Sequence, residues 1–343
     1  MFNSRLPLLT SLLAIIVSTA SPASQASEVN IYSARKENLI KPLLDKFSAE
    51  TGIKTNLITA GADKLLTRMI NEGRNTPADV FITVDAGRLH RAKQADVLQV
   101  IDSQLINKSV PQHLRDADGL WVGLSQRARV IFYAKDRVKP EELSSYENLA
   151  DPKWKKRICI RGSGNIYNQS LVASMIAGIG KDATQKWAEG LVANFARAPK
   201  GGDRDQIKAA AAGQCDIAVA NTYYYGQMLT NKKDAAELKA ANKMAIFWPN
   251  QKGRGAHVNV SGAGISKYSK NKPEAIKLLE FLVGPEAQNW YASVNNEYPV
   301  TEDAVLSSLV ASWGTFKSDL VNLSRLGELN AEAVKIMDRA GWQ

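Results

Sequence analysis

The sequence predicts an α/β protein of two lobes, each a mixed or parallel sheet flanked by helices, joined by two extended hinge crossings. Three observations carry that expectation. From residue 28, short apolar segments alternate with segments of helical periodicity, the pattern of strands and crossover helices. The same rhythm returns after residue 156. Between the two blocks and after the second lie long extended stretches, residues 121–133 and 244–265, the latter holding Pro249, Gly253 and Gly255.

The elements follow in order. Arg5 is the only charge in the first 26 residues, an apolar run over 6–17 is broken only by Pro7, Thr10 and Ser11, and Ser24-Gln25-Ala26 closes the segment. These are the n-region, h-region and cleavage site of a secretory signal peptide, expected over 1–26. The run falls short of the roughly 20 residues of a membrane span. No cysteine stands at the cleavage site to carry a lipid, so a free periplasmic protein with no membrane insertion is expected.

Residues 28–32 are the first expected strand. Leu39, Ile40, Leu43, Leu44 and Phe47 recur at helical spacing, and Gly52 closes that helix. A strand over 53–58 leads to a helix through Leu65, Leu66, Met69 and Ile70 that stops at Gly73. A third strand over 79–84 and a third helix over 88–97 complete the block. In the second block, 157–160 reads as a strand, 169–179 and 206–212 as helices, and 215–220 as a buried strand. Helices over 272–282 and from 304 onward are expected to pack across both lobes. The expected division is 27–126 plus 250–300 for lobe 1, and 127–249 plus 301–343 for lobe 2.

The formal net charge is +10, and loss of Arg5 leaves +9. Basic and acidic residues alternate along the helices without a long basic block, which argues against nucleic acid as partner. Cys159 and Cys215 fit no zinc or redox spacing, and in an oxidising compartment two lone cysteines are expected to pair. His90, His113 and His257 show no paired ligand spacing. Gly162-Ser163-Gly164-Asn165 is no phosphate-loop motif and reads first as a helix cap. No nucleophile–base arrangement is visible, so an enzyme is not expected.

Ligands of open parallel sheets bind beyond the carboxyl ends of the strands. This sequence places Tyr32, Asp85, Tyr167, and the triplet Tyr223, Tyr224 and Tyr225 there. Any one of the tyrosines alone reads first as a cleft-wall residue with its hydroxyl bonded to backbone or water. As a cluster they have another use. A phenol titrates near about 10 and is neutral at pH 7, but a small, highly charged cation displaces its proton, and the phenolate is a hard oxygen ligand suited to Fe(III). Excess buried negative charge would need support, and Arg35, Arg127, Arg129, Arg161 and Arg204 lie near the same strand ends. An organic or oxyanion receptor with hydrogen-bonding tyrosines, and an enzyme on the same scaffold, remain open on these grounds.

The chain resembles the periplasmic ferric-iron-binding proteins of the transferrin-like, type II periplasmic-binding fold. The resemblance runs from Glu28 to the C-terminus. Its carriers are Val29-Asn30-Ile31-Tyr32-Ser33-Ala34-Arg35, Pro77-Ala78-Asp79-Val80-Phe81, Gly123-Leu124-Ser125-Gln126-Arg127-Ala128-Arg129, Asn165-Ile166-Tyr167-Asn168-Gln169-Ser170, Val258-Asn259-Val260-Ser261-Gly262-Ala263-Gly264 and, most specific, Asn221-Thr222-Tyr223-Tyr224 after an apolar strand. It implies Fe(III) as ligand, Tyr223 and Tyr224 as a coordinating pair, Tyr167 and Tyr32 as third and fourth tyrosines, and Tyr225 as packing. Some relatives place a His after the first-strand tyrosine, where this chain has Arg35-Lys36. Some place a Glu after the third strand, where Val84 stands and Asp85 follows. The expected site is therefore four tyrosines, or three with water or a small anion such as carbonate. Arg127 leads as the charge-neutralising residue, with Arg35, Arg161, Arg204 and Asp85 nearby. A monomer serving an ABC permease and its ATPase is the implied setting.

Overall fold

The computed structural model describes residues 27–343; the expected signal peptide lies outside them. Three parallel strands open the chain, β1 (Glu28–Ser33), β2 (Lys54–Thr59) and β3 (Val80–Val84), with β1 in the middle. Helices α1 (Glu37–Thr51), α2 (Ala62–Glu72) and α3 (Ala86–Gln94) connect and follow them. Ile40, Leu43, Leu44 and Phe47 form the buried stripe of α1, which ends at Gly52 with φ 71°, a left-handed turn that favours glycine. The two-residue β4 (Leu98–Gln99) and α4 (Gln104–Ser109) lead into the first crossing.

That crossing is one strand, β5 (Val122–Ala134), buried along almost its whole length. Its first half pairs with β9 (Val258–Ser266), and its second half with β7 (Ile217–Asn221) and β8 (Met244–Phe247), all antiparallel. A short β6 (Ile158–Cys159) pairs parallel to β7. The strand order is β2-β1-β3-β9-β5-β7-β6, with β4 on β9 and β8 on β5. Parallel pairing is confined to the two ends of this path. The hinge strands run antiparallel because each crosses between lobes in the opposite direction. The second expected crossing is two strands, β8 and β9, with turns between them where Pro249, Gly253 and Gly255 fall.

The second lobe carries α5 (Ile166–Ile179), α6 (Lys181–Ala193), α7 (Asp203–Ala211), α8 (Thr222–Leu229) and α9 (Ala235–Asn242). Helices α10 (Lys272–Val283) and α11 (Pro285–Ser293) return to the first sheet, and α12 (Ser308–Ala311) follows. Helix α13 (Ser324–Glu328) packs on both α3 and α5, and α14 (Asn330–Arg339) packs on α5 and α6. The expected packing of C-terminal helices across both lobes holds for α13 but not for α10, which stays on the first sheet. Cys159 and Cys215 form the expected disulfide, with Cα atoms 5.9 Å apart. Among the described residues, no helix is long and apolar enough to cross a membrane.

Candidate metal centre

Strand β7 is buried at every position, and the chain turns from it directly into α8. The tyrosine triplet thus occupies the first turn of a helix, where successive side chains step about 100° around the axis. That step, rather than strand alternation, separates the three. Tyr225 turns inward, its ring 5.0 Å from that of Phe132 and its hydroxyl donating to the Met244 carbonyl at 3.0 Å. Tyr223 and Tyr224 stay half-buried with ring centroids 4.2 Å apart. Tyr167 stands in the first turn of α5, and its hydroxyl lies 3.3 Å from that of Tyr223.

These three tyrosines line a cavity of about 320 Å³ together with Arg35, Arg127 and Glu297. Burial, then the neighbouring Tyr167 and Tyr224, push the Tyr223 phenol well above its usual range, against a lowering by Arg127. Tyr224 is pushed up to about 12, chiefly by burial. Both phenols are therefore neutral at pH 7, and a cation bound by them would have to displace their protons. Each sits at a helix N-terminus, whose dipole favours the phenolate that results. Among the described residues no cluster of three or more His, Cys, Asp or Glu could hold a metal ion.

Arg129, in β5, ties the two tyrosine-bearing helices together. Its guanidinium donates to Asn168 at 2.6 and 3.1 Å, to the α8 cap residue Asn221 at 3.0 Å, and to Asp203 at 3.1 Å. Arg127, one turn of the strand pattern away on the same face, is fully buried with its guanidinium carbon 5.6 Å from the Tyr223 ring centroid. Arg161 lies 5.9 Å from the Tyr167 ring centroid and 3.6 Å from Asp203. Arg204 lines the cavity, held by Glu237 at 3.3 Å and by Gln227. Arg35 bonds Glu297 at 3.1 Å and also reaches Ser261.

Two expected site residues stand elsewhere. Tyr32 packs with Leu65, Met69 and Phe81, and its hydroxyl donates to both oxygens of Glu72, at 2.9 and 3.1 Å. It lies one residue from the end of β1 but points to the layer under α2, because alternate residues of a strand face opposite sides. Asp85 is buried at φ 80°, a conformation rare for a non-glycine residue. Three donors hold its carboxylate: Ser170 Oγ at 2.7 Å, the Gly87 N–H at 2.9 Å and Asn259 Nδ2 at 2.9 Å. It therefore bridges β3, α5 and β9 instead of lining the cleft. Glu297 and Asn295, which do line it, were not anticipated, since no spacing or motif marks them in the loop after α11.

Residues 75–316 match the family of bacterial extracellular solute-binding proteins. Iron uptake protein A1 of Synechocystis is 50% identical over 94% of this chain and 90% of its own length. Iron uptake protein A2 of the same organism is 44% identical over 97% and 96%. A Trichodesmium protein solved with iron and citrate ligands superposes with a TM-score of 0.90 at 50% identity, covering 92% of this chain and all of that one. The Mannheimia haemolytica ferric iron-binding protein A, in an open conformation, gives 0.87 at 45% identity over 92% and 99%.

Proposed function

The chain belongs to the bacterial extracellular solute-binding proteins, and on that premise we propose that it captures ferric iron between its lobes for uptake through an ABC transporter. The observation that carries this reading is the approach of the Tyr167 and Tyr223 hydroxyls, with Tyr224 on the same helical turn. Three phenolates match the charge of one Fe(III) and suit its hardness. Tyr32 is occupied by Glu72, so the three-tyrosine form of the site is the one supported, with water or a small anion such as carbonate completing it. Arg127 stands behind that position as counter-charge.

Tyr167 and Tyr223 come from α5 and α8 of one lobe, while Arg35 and Glu297 come from segments packed on the other sheet. Loading would therefore favour the closed arrangement, in which both walls meet the ion and its co-ligand. The signal-like first 26 residues place this capture in the periplasm, with the loaded protein delivering iron to a permease and its ATPase, and no reaction of its own. The test is an Fe(III) titration of the protein from Ser27 onward, followed by visible absorption. A phenolate-to-iron charge-transfer band saturating at one metal per chain supports the reading. Absence of a band leaves an organic or anionic solute as the better ligand.

A further inference from the structure

Asp85 is a buried carboxylate that the metal donors do not use, and its hydrogen bonds join the first sheet to a tyrosine-bearing helix. It follows Val84, which lines the tyrosine cavity, and is itself fully buried. Its Oδ1 accepts from the Gly87 N–H of α3 at 2.9 Å and from Ser170 Oγ of α5 at 2.7 Å. Its Oδ2 accepts from Asn259 Nδ2 of β9 at 2.9 Å. Asn259 closes the knot from the other side, its Oδ1 accepting from the Ala86 and Val260 N–H groups, both at 2.8 Å. The main chain takes φ 80° at Asp85, which a non-glycine residue holds only where its surroundings over-determine it.

Helix α5 needs such outside support. Its cap residue Asn165 makes no side-chain cap bond. The first turns are instead held by Asn168, bonded to Arg129, and by Ser170, bonded to Asp85. Residues three apart share one side of a helix, so Ser170 stands one turn behind Tyr167. The N-terminal turns of α3 and α5 meet at this point. A Cβ on Gly87 would lie 3.2 Å from Ile166 Cδ1 and 3.7 Å from Ser170 Oγ, so neither helix can approach the other further. Ser170 is fully buried as well, and losing either partner leaves the other short of a bond that water does not readily replace.

We infer that Asp85 is a positioning residue: through Ser170 it fixes the first turns of α5 against the first sheet, and so sets where the Tyr167 hydroxyl stands relative to that of Tyr223. The effect on affinity rests on the proposed ferric-iron reading, whereas the position of Tyr167 can be read without metal. Two phenolates that share one ion must keep their spacing. A loosened α5 turn therefore weakens binding although no ligand is removed.

The experiment compares the wild type with Asp85→Gly, Asp85→Asn, Ser170→Ala and the Asp85→Gly, Ser170→Ala double variant, each also in a Tyr167→Phe background. Asp85→Gly removes the carboxylate without straining a backbone at φ 80°, and Asp85→Asn keeps its shape and one acceptor oxygen. Iron affinity is read by competition with a chelator of known strength. The position of Tyr167 is read on iron-free protein carrying 3-fluorotyrosine, from the fluorine resonance that disappears in Tyr167→Phe. Asp85→Gly and Ser170→Ala should each lower iron affinity by about tenfold and shift or broaden that resonance. The double variant should lose no more than either single one, since both remove the same bond, and Asp85→Asn should fall nearer the wild type than Asp85→Gly. In the Tyr167→Phe background none of them should weaken binding further. An unmoved Tyr167 resonance, or an equal loss of affinity in the Tyr167→Phe background, overturns the inference. Should Asp85→Gly fail to fold, Ser170→Ala, which deletes a single oxygen, carries the same comparison. A wild type that binds no iron but whose Tyr167 resonance responds as expected would reject the iron reading and leave the positioning role standing.

Discussion

The hydroxyl of Tyr223 lies 3.3 Å from that of Tyr167, although 56 residues separate them in sequence. The Tyr224 ring centroid lies 4.2 Å from that of Tyr223 on the same helical turn, so three phenols meet at one place. Tyr167→Phe removes one donor without opening the core, because the ring is half-buried. We expect unfolding temperature to change little and iron affinity to fall by roughly a hundredfold or more, the scale of one lost charged ligand. Competition against a chelator of known strength measures it.

Iron binding should weaken steeply with acid. Tyr223 is held well above its ordinary titration range and Tyr224 at about 12, so both bear protons at neutral pH and would release them on binding iron. At least two displaced protons make affinity fall at least about a hundredfold for each unit that pH drops. Titration in weakly buffered solution should register at least two protons released per iron.

Arg129 holds Asn168, Asn221 and Asp203 at once and thereby sets the spacing of α5 and α8. Arg129→Met leaves Asp203 as a buried charge without its nearer cationic partner. Breaking a buried pair in this way costs roughly 3–5 kcal/mol. Chemical denaturation should show a loss of that order, together with a weaker charge-transfer band, since the tyrosine-bearing helices lose their common tie.

His257 is buried, and its backbone N–H donates to the Tyr146 hydroxyl at 3.0 Å. Burial first, then the Arg254 and Arg129 charges, push the imidazole from 6.5 down to about 3. Below 6.5 the unfolded chain binds a proton there that the folded chain refuses. Stability is thus fully present above 6.5 and lost as pH falls toward 3, by about 1.4 kcal/mol per unit from this group. Denaturation of His257→Asn across that range should show a shallower pH slope than the wild type; an identical slope would remove His257 from the acid response.

The sequence was most readable where local pattern and chemistry coincide. The apolar run before Asn221 announced β7, and the tyrosines after it announced the cleft, because a buried strand ends where a ligand can approach. The pairing of Cys159 with Cys215 followed from compartment and residue type. Tyr32 was not readable in the same way. Its strand end was correct, but the face it takes depends on Glu72, forty residues on, which receives its hydroxyl. Glu297 was hidden for a related reason, since its partners Arg35 and Ser125 lie 262 and 172 residues away and only the packed hinge brings them together. The helix step that divides Tyr223 and Tyr224 from Tyr225 was likewise a property of the fold, because the same triplet on a strand would have split differently.

The most direct test of the account is the visible spectrum of the iron-loaded protein beside that of a Tyr223→Phe, Tyr224→Phe variant that remains folded by circular dichroism. The account predicts a charge-transfer band in the wild type that saturates at one iron per chain and is lost or strongly weakened in the variant. A band of equal strength and position in both would contradict it, placing the metal away from the α8 tyrosines.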